Sequence, residues 1–303
     1  MYSQNKVQKT TAFTIDKGED VRLVVKNLSD ANIINNDWPF LLYLKFKGLS
    51  SQLIAGEYQI GPKTTPMEVA DILTNGRVAS LKITIPEGWS NQQIADYLDK
   101  KNIVTKEDFL AATKKNYDYE FLKDKPSGTS LEGYLFPDTY QISYNAKSED
   151  IINQMLKNFD KRVTPQIRSE IKASDESLFD VLTLASVVER EVSKPEDRKV
   201  VAGIFLLRLK EGMALESCAT IQYILGVNKM QFTYEETRTE SPYNTYLNKG
   251  LPVGPISNPG IDSINAVLYP QITDYLFFLS ADGITYYSKT LDEHEAKKNQ
   301  YLQ

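Results

Sequence analysis

Apolar and polar positions along this chain follow two periods, and these set where strands and helices fall. Phe13-Thr14-Ile15-Asp16 alternates as a half-buried strand does, Lys17-Gly18 turns the chain, and a helical stretch to Leu28 and the pair Ile33-Ile34 follow. The same order returns at Ile83-Thr84-Ile85, Pro86-Glu87-Gly88, a helix to Leu98 and Ile103-Val104. Ile15 and Ile85, Gly18 and Gly88, Leu28 and Leu98, and Ile33 and Ile103 share one offset, so the two segments form an internal repeat. A weaker unit lies between them, with Tyr58-Gln59-Ile60 as strand and Gly61-Pro62 as turn. Its helix carries Met67, Val69, Ala70, Ile72 and Leu73 and ends at Asn75-Gly76. The first third of the chain is thus a set of small strand-helix modules, a type that binds or positions a partner, or serves the fold alone, more often than it catalyses.

From about Phe121 the pattern lengthens. Lys125 to Ser130, "KPSGTS", predicts a loop that delivers the chain into "LEGYLFPDTY" (Leu131 to Tyr140). Helices are expected over Ser148 to Val163, Glu176 to Val192 and Pro195 to Glu211. The last has Pro195 in its first turn, Glu196 and Asp197 at the positive end of its dipole, and Gly212 just past its end. Beyond Gly226 loops alternate with short strands, notably Tyr275 to Leu279 and Ile284 to Tyr287 around the turn "ADG". The expected class is α+β, not a repeated βαβ series.

One carboxylate breaks the binary pattern. At about 100° per residue, Leu178, Leu182, Ala185 and Glu189 fall within roughly 60° of one another on their helix. Glu189 therefore continues the apolar stripe, while Glu191, roughly 160° away from it, faces solvent or a neighbouring element. A Glu on an apolar stripe either pairs with a cation, here Arg190, Arg198 or another basic residue, or takes a raised pKa that suits a general acid. The helix alone leaves both readings open.

Composition narrows the chemistry. The chain has 303 residues, 35 Lys+Arg against 40 Asp+Glu, a net charge of −5, one His and one Cys. A lone Cys218 excludes an internal disulfide, and one Cys with one His excludes a tetrahedral N/S zinc site unless carboxylates join it. A Ser-His-Asp triad would have to use His294. The acidic balance argues against nucleic acid as the main ligand. The longest apolar run, Val200 to Leu207, is far short of the roughly 20 residues of a membrane span, and the first residues lack the apolar core of a secretory signal. Composition leaves open whether the protein is cytosolic or belongs with an anchor outside these residues.

Other segments offer polar groups on rigid backbones. Glu132 sits among Gly133, Tyr134, Phe136, Pro137, Asp138 and Tyr140, aromatics that either face sugars or fill a core. "SPYNTY" (Ser241 to Tyr246) and "GLPVGPISNPG" (Gly250 to Gly260) are ordered loops in which Asn244, Thr245 and Asn258 offer hydrogen bonds. Cys218 reads as a small buried hydrophobe and His294 as a surface helix residue.

Taken in order, "LEGYLFPDTY", "ASVVEREV" (Ala185 to Val192), "VAGIFLLRLKEGMALES" (Val201 to Ser217), "SPYNTY", "GLPVGPISNPG" and "FFLSADGITYYSKTLDEH" (Phe277 to His294) resemble the YceG-like endolytic murein transglycosylases. The resemblance covers nearly the whole chain, with "TIPEGWSNQQIADYL" in a LysM-like N-terminal part. It implies a LysM-like module over 1–80, a second strand-helix repeat over 81–120 and a catalytic domain over 121–303. It also implies a bacterial protein held in the cytoplasmic membrane by one N-terminal helix and facing the cell wall, with that anchor absent from these residues. The activity implied is non-hydrolytic cleavage of the β-1,4 bond between N-acetylmuramic acid and N-acetylglucosamine, which ends strand elongation and leaves a 1,6-anhydro sugar. The family's catalytic glutamate falls on Glu189, acting as both acid and base. Candidates for substrate contact are Glu132, Tyr134, Tyr243, Asn244, Thr245, Asn258 and Gln222. No metal or other cofactor is implied; the partners are peptidoglycan glycan strands and the penicillin-binding synthases. The contrasting reading is a non-catalytic peptidoglycan scaffold that recruits those synthases. In one departure, Cys218 stands where related sequences carry Asp, so no role of that Asp transfers.

Overall fold

The alternation at Phe13 and Ile15 becomes strand β1 (Thr11–Ile15), with both residues turned inward and Thr14 exposed. The structure, a computed structural model, describes residues 9–75, 80–143, 146–229 and 231–302. It comprises two units, one of Met1–Ile83 with Tyr140–Lys147 and one of Thr84–Thr139 with Ser148–Gln303. The chain is α+β, as its pattern implied.

In the first unit, Asp20 caps helix α1 (Val21–Asp30) by accepting the Arg22 N–H. Helix α2 (Asp37–Phe46) gave no periodic signal, because apolar residues run around its whole circumference: Phe40 and Leu44 face inward while Trp38, Leu42 and Phe46 stay exposed. Strand β2 (Gly56–Ile60) pairs antiparallel with β1, Phe13 opposite Tyr58. Helix α3 (Pro66–Thr74) begins at a capping box of Thr65 and Glu68 and ends at Asn75; Gly76, expected at this end, lies outside the described residues. Val24, Leu28, Ile33, Leu44, Tyr58 and Leu73 are central to the core these elements enclose.

Strand β3 (Ser80–Ile85) opens the second copy of the repeat, and Gly88, at φ +76°, turns the chain into helix α4 (Asn91–Lys100) as Gly18, at φ +82°, does before α1. The likeness extends to Asn32 and Asn102, both in the left-handed region just after their helices. Helix α5 (Lys106–Ala112) follows, and "LEGYLF" is buried from Leu131 to Phe136 before β4 (Asp138–Ser143) pairs with β3.

The second unit continues with α6 (Ser148–Arg162), α7 (Pro165–Ala173), α8 (Leu178–Glu191) and α9 (Pro195–Lys210). Every residue of α8 from Leu178 to Val188 except Asp180 is buried, so it is the central helix, packed on α7, α9 and two later helices. Those are α10 (Cys218–Leu225) and, after the short α11 (Tyr234–Thr237), α12 (Ile261–Leu268). The α12 segment corrects the expectation of loops and short strands after Gly226, since eight residues give too short a pattern to fix the element and packing on α8 and α9 decides. Strands β5 (Phe277–Ala281) and β6 (Ile284–Ser288) form the expected hairpin around Asp282-Gly283, both at positive φ, and α13 (Leu291–Tyr301) closes the chain.

Candidate active site

The stripe on α8 ends at Glu189, whose side chain is only 4% exposed. Its Oε1 accepts from Arg198 Nη2 on α9 at 2.7 Å; its Oε2 accepts from the Gly260 N–H at 2.9 Å and from Ser263 Oγ at 2.8 Å. Gly260 is the N-cap of α12, so the carboxylate also meets the positive end of that helix dipole. Of the two readings open for Glu189, the cation pairing is present, and it is with Arg198. Arg198 in turn donates from Nε to the Val192 carbonyl at 3.3 Å.

Beside this pair stands Glu87, which sequence reasoning did not select because it lies in an exposed turn rather than on a stripe. Two backbone bonds hold the turn against the loop before α12: Gly88 N–H to the Asn258 carbonyl and Asn258 N–H to the Trp89 carbonyl, each 2.9 Å. The Glu87 carboxylate lies 3.8 Å from Arg198 Nη1 and is 46% exposed. It fits because residue 260 is a glycine, where a Cβ would stand 1.9 Å from Glu87 Oε1. Burial raises the Glu87 pKa, the negative charges of Glu189 and Asp262 raise it further, and Arg198 opposes them. A cleft of about 580 Å³ opens over these groups, lined also by Arg190, Lys194, Asp197 and Asp282.

A second cleft, of about 510 Å³, has Glu132 in its lining. Both Glu132 oxygens accept from the Asn91 N–H, at 2.9 and 3.2 Å; Asn258 Nδ2 is 3.4 Å from Oε1, and Tyr223 adds a side-chain hydrogen bond. Burial nevertheless dominates and pushes the carboxyl up to about 8, against the lowering effects of the Asn91 N–H, Arg190 and Tyr223. Glu132 is therefore mostly neutral at pH 7 and able to donate a proton. Tyr223 and Tyr243 line the same cleft with ring centroids 5.0 Å apart, and Lys114 and Ser241 complete its polar edge.

The remaining candidates are placed differently from expectation. Tyr134 is 1% exposed and packs among Phe121 and Phe159. Asn244 is fully buried; its Nδ2 donates to the Thr237 and Thr239 carbonyls and its Oδ1 accepts from Tyr246 N–H. Thr245 Oγ1 accepts from Ser217 N–H at 3.0 Å and bonds Thr220 Oγ1. Asn258, also fully buried, accepts from Leu135 N–H and donates to the Trp89 carbonyl and Asn91 Oδ1. These groups hold loops in place rather than facing either cleft, because a rigid loop close to a site spends its own amides on itself. Gln222, half-buried, accepts from Arg190 Nη2 at 2.9 Å and donates to the Lys229 carbonyl.

Three further residues gain partners that the sequence pattern could not name. The half-buried Glu191 carboxylate accepts from Ser217 Oγ and from the Ala219 N–H at the start of α10, which settles its open choice in favour of a neighbouring element. Cys218 is half-buried rather than buried, its Sγ 3.1 Å from the Tyr246 hydroxyl; burial raises its pKa, which keeps the thiol protonated and a poor nucleophile. His294, expected at the surface, is half-buried and stacked on Phe277 at 5.5 Å.

With the geometry in place, the sequence pattern of the YceG-like family matches residues 13–300. The chain belongs to the YceG-like family. A Bacillus subtilis (strain 168) relative, named endolytic murein transglycosylase, is 35% identical over 313 residues, covering 98% of this chain and 86% of its own. A relative of the same name from Streptococcus pneumoniae (strain D39) is 31% identical over 322 residues and covers 95% of this chain, which spans 58% of that longer protein. A yceG-like protein of Listeria monocytogenes, solved as a 2.6 Å crystal structure, superposes with a TM-score of 0.65 at 34% identity, covering 96% of this chain and 99% of that one. Within this YceG-like chain the two acidic clefts share no lining residue, yet the "NPG" loop reaches both: Asn258 touches Glu132, and Gly260 touches Glu189.

Proposed function

We propose that this protein is a lytic transglycosylase that cleaves murein glycan strands endolytically, with Glu189 as its single acid and base. The observation that carries the reading is the Glu189 carboxylate, at the end of a buried apolar stripe, held by Arg198 and the α12 N-terminus on the wall of an open cleft. Protonated Glu189 gives its proton to the glycosidic oxygen as the bond from muramoyl C1 breaks, and the leaving N-acetylglucosamine departs as a free alcohol. The Glu189 carboxylate then takes the proton of the muramoyl O6 hydroxyl as O6 bonds to C1. One carboxyl regains the proton it gave, no water is consumed, and the product is a 1,6-anhydro-muramoyl end. Arg198, Gly260 and Ser263 support the charged form between the two steps, and fixed donors of this kind need no reorganisation when charge develops.

Along the strand, Glu132, Tyr223 and Tyr243 contact sugars outside the reacting pair, a buried acid and two rings being suited to hydroxyl edges and apolar sugar faces. The strand-helix modules before residue 121 hold glycan in the manner of LysM units, and cleavage ends strand elongation beside the peptidoglycan synthases. Murein lies outside the cytoplasmic membrane, so the protein works there; among the described residues no helix is long and apolar enough to cross a bilayer.

Digestion of purified murein followed by mass analysis tests the reading. Anhydro-muramoyl ends are expected from the wild-type chain and none from Glu189→Gln with an unchanged fold. Reducing ends would make the protein a hydrolase, and no new ends would leave only the scaffold. Cleavage retained by Glu189→Gln would transfer the acid role to Glu132.

A further inference from the structure

Two carboxylates draw on one guanidinium in the Glu189 cleft. Glu189 holds Arg198 Nη2 at 2.7 Å, and Glu87 faces Nη1 at 3.8 Å. Together the three groups sum to one negative charge, and a single proton neutralises the set. The carboxylates differ in access: Glu189 is 4% exposed with both oxygens bonded, whereas Glu87 is 46% exposed toward the cleft. The acid/base cycle assigned to Glu189 makes no use of Glu87, yet the place of Glu87 is built. Its turn is fixed by the left-handed Gly88 and the paired backbone bonds to Asn258, and its carboxylate occupies the space left by the missing Cβ of Gly260.

We propose that Glu87 is a positioning residue for the Glu189 reaction, drawing on Arg198 from the open side of the cleft so that Glu189 alternates between acid and base. The inference rests on the catalytic reading of Glu189. Arg198 facing Glu189 alone would favour its carboxylate and starve the acid step; a second negative charge beside the same guanidinium offsets that bias. The charged groups facing Glu87 are Glu189 on α8, Arg198 on α9 and Asp262 on α12, and the two acids favour a proton on Glu87 while Arg198 opposes one. Arg190, Lys194, Asp197 and Asp282 also line the cleft.

The test is the pH-rate profile of murein cleavage by the full chain. The basic limb marks loss of the acid form, so Glu87→Gln moves it to lower pH by about one unit, the scale on which directly interacting carboxylates separate. Glu87→Asp restores the limb. Gly260→Ala, which leaves the N–H to Glu189 in place but displaces the Glu87 carboxylate, shifts it in the same direction and serves if Glu87→Gln fails to fold. A residue with only a structural role would lower the rate at every pH and leave the limb where it is, and that result overturns the proposal. A second reading needs no activity: carbon-13 titration of the Glu87 carboxyl should show its midpoint falling in Glu189→Gln, as one repelling charge is lost and Arg198 is released. An unmoved midpoint also overturns the proposal. Failure of the catalytic reading shows itself separately, as murein cleavage by Glu189→Gln.

Discussion

Replacing Arg198 by Met keeps the aliphatic stem and removes the charge, so it isolates what the guanidinium does for Glu189. Both side chains are less than a tenth exposed, and removal of one member of a buried ion pair typically costs about 3–5 kcal/mol. The Gly260 N–H and Ser263 hydroxyl remain on Oε2, which places the cost near the lower end, about 3 kcal/mol, including the lost bond to the Val192 carbonyl. Urea unfolding followed by Trp89 fluorescence, in a Trp38→Phe background because Trp38 is 70% exposed, measures the second unit. The variant should lose about 3 kcal/mol at about pH 7. A loss below about 1 kcal/mol would refute the claim that Arg198 is the main partner that compensates Glu189 where it lies.

Two further outcomes follow from the packing and from the second acid. Gly203 in α9 looks replaceable, since Ala is the better helix former by about 1 kcal/mol, but its Cβ would stand 2.1 Å from the Gln271 carbonyl oxygen. Gly203→Ala should therefore destabilise by about 1–3 kcal/mol in thermal unfolding, and a stabilised variant would contradict that close approach. Glu132, raised to about 8 in the fold, titrates near ~4.3 when unfolded. The folded state thus binds the proton more tightly, and this contribution to stability is full below ~4.3 and lost as pH rises through about 8. Glu132→Gln should gain on the wild type as pH is raised across that window in denaturant titrations; parallel curves would show that burial does not govern Glu132.

Much of the fold was legible because its elements carry local signals. The Gly18 and Gly88 turns, the Asp282-Gly283 hairpin and the apolar phase of α8 are written in neighbouring residues, and their period or backbone demand survives without tertiary context. Helices α2 and α12 were not legible. One is apolar around its whole circumference and the other is a mixed segment of only eight residues, and in both the packing surface selects helix and inward face.

For the site, the sequence by itself determined that one acid, Glu189, must lie inward, because a helix converts spacing into direction. It also narrowed the side-chain chemistry on offer mainly to carboxylates, hydroxyls and amides, with one Cys and one His in the whole chain. Only the tertiary structure decided what each carboxylate meets. Arg198 came from the next helix, Gly260 and Ser263 from residues about seventy positions on, and Glu87 from a turn in the second repeat. The same packing buried Asn244, Thr245 and Asn258, whose amides and hydroxyl now hold loops, and enclosed Glu132 until its neutral form prevailed. Spacing along one helix fixes a side chain's direction, but its charge state is set by burial and by neighbours distant in the chain, and those exist only once the chain has folded.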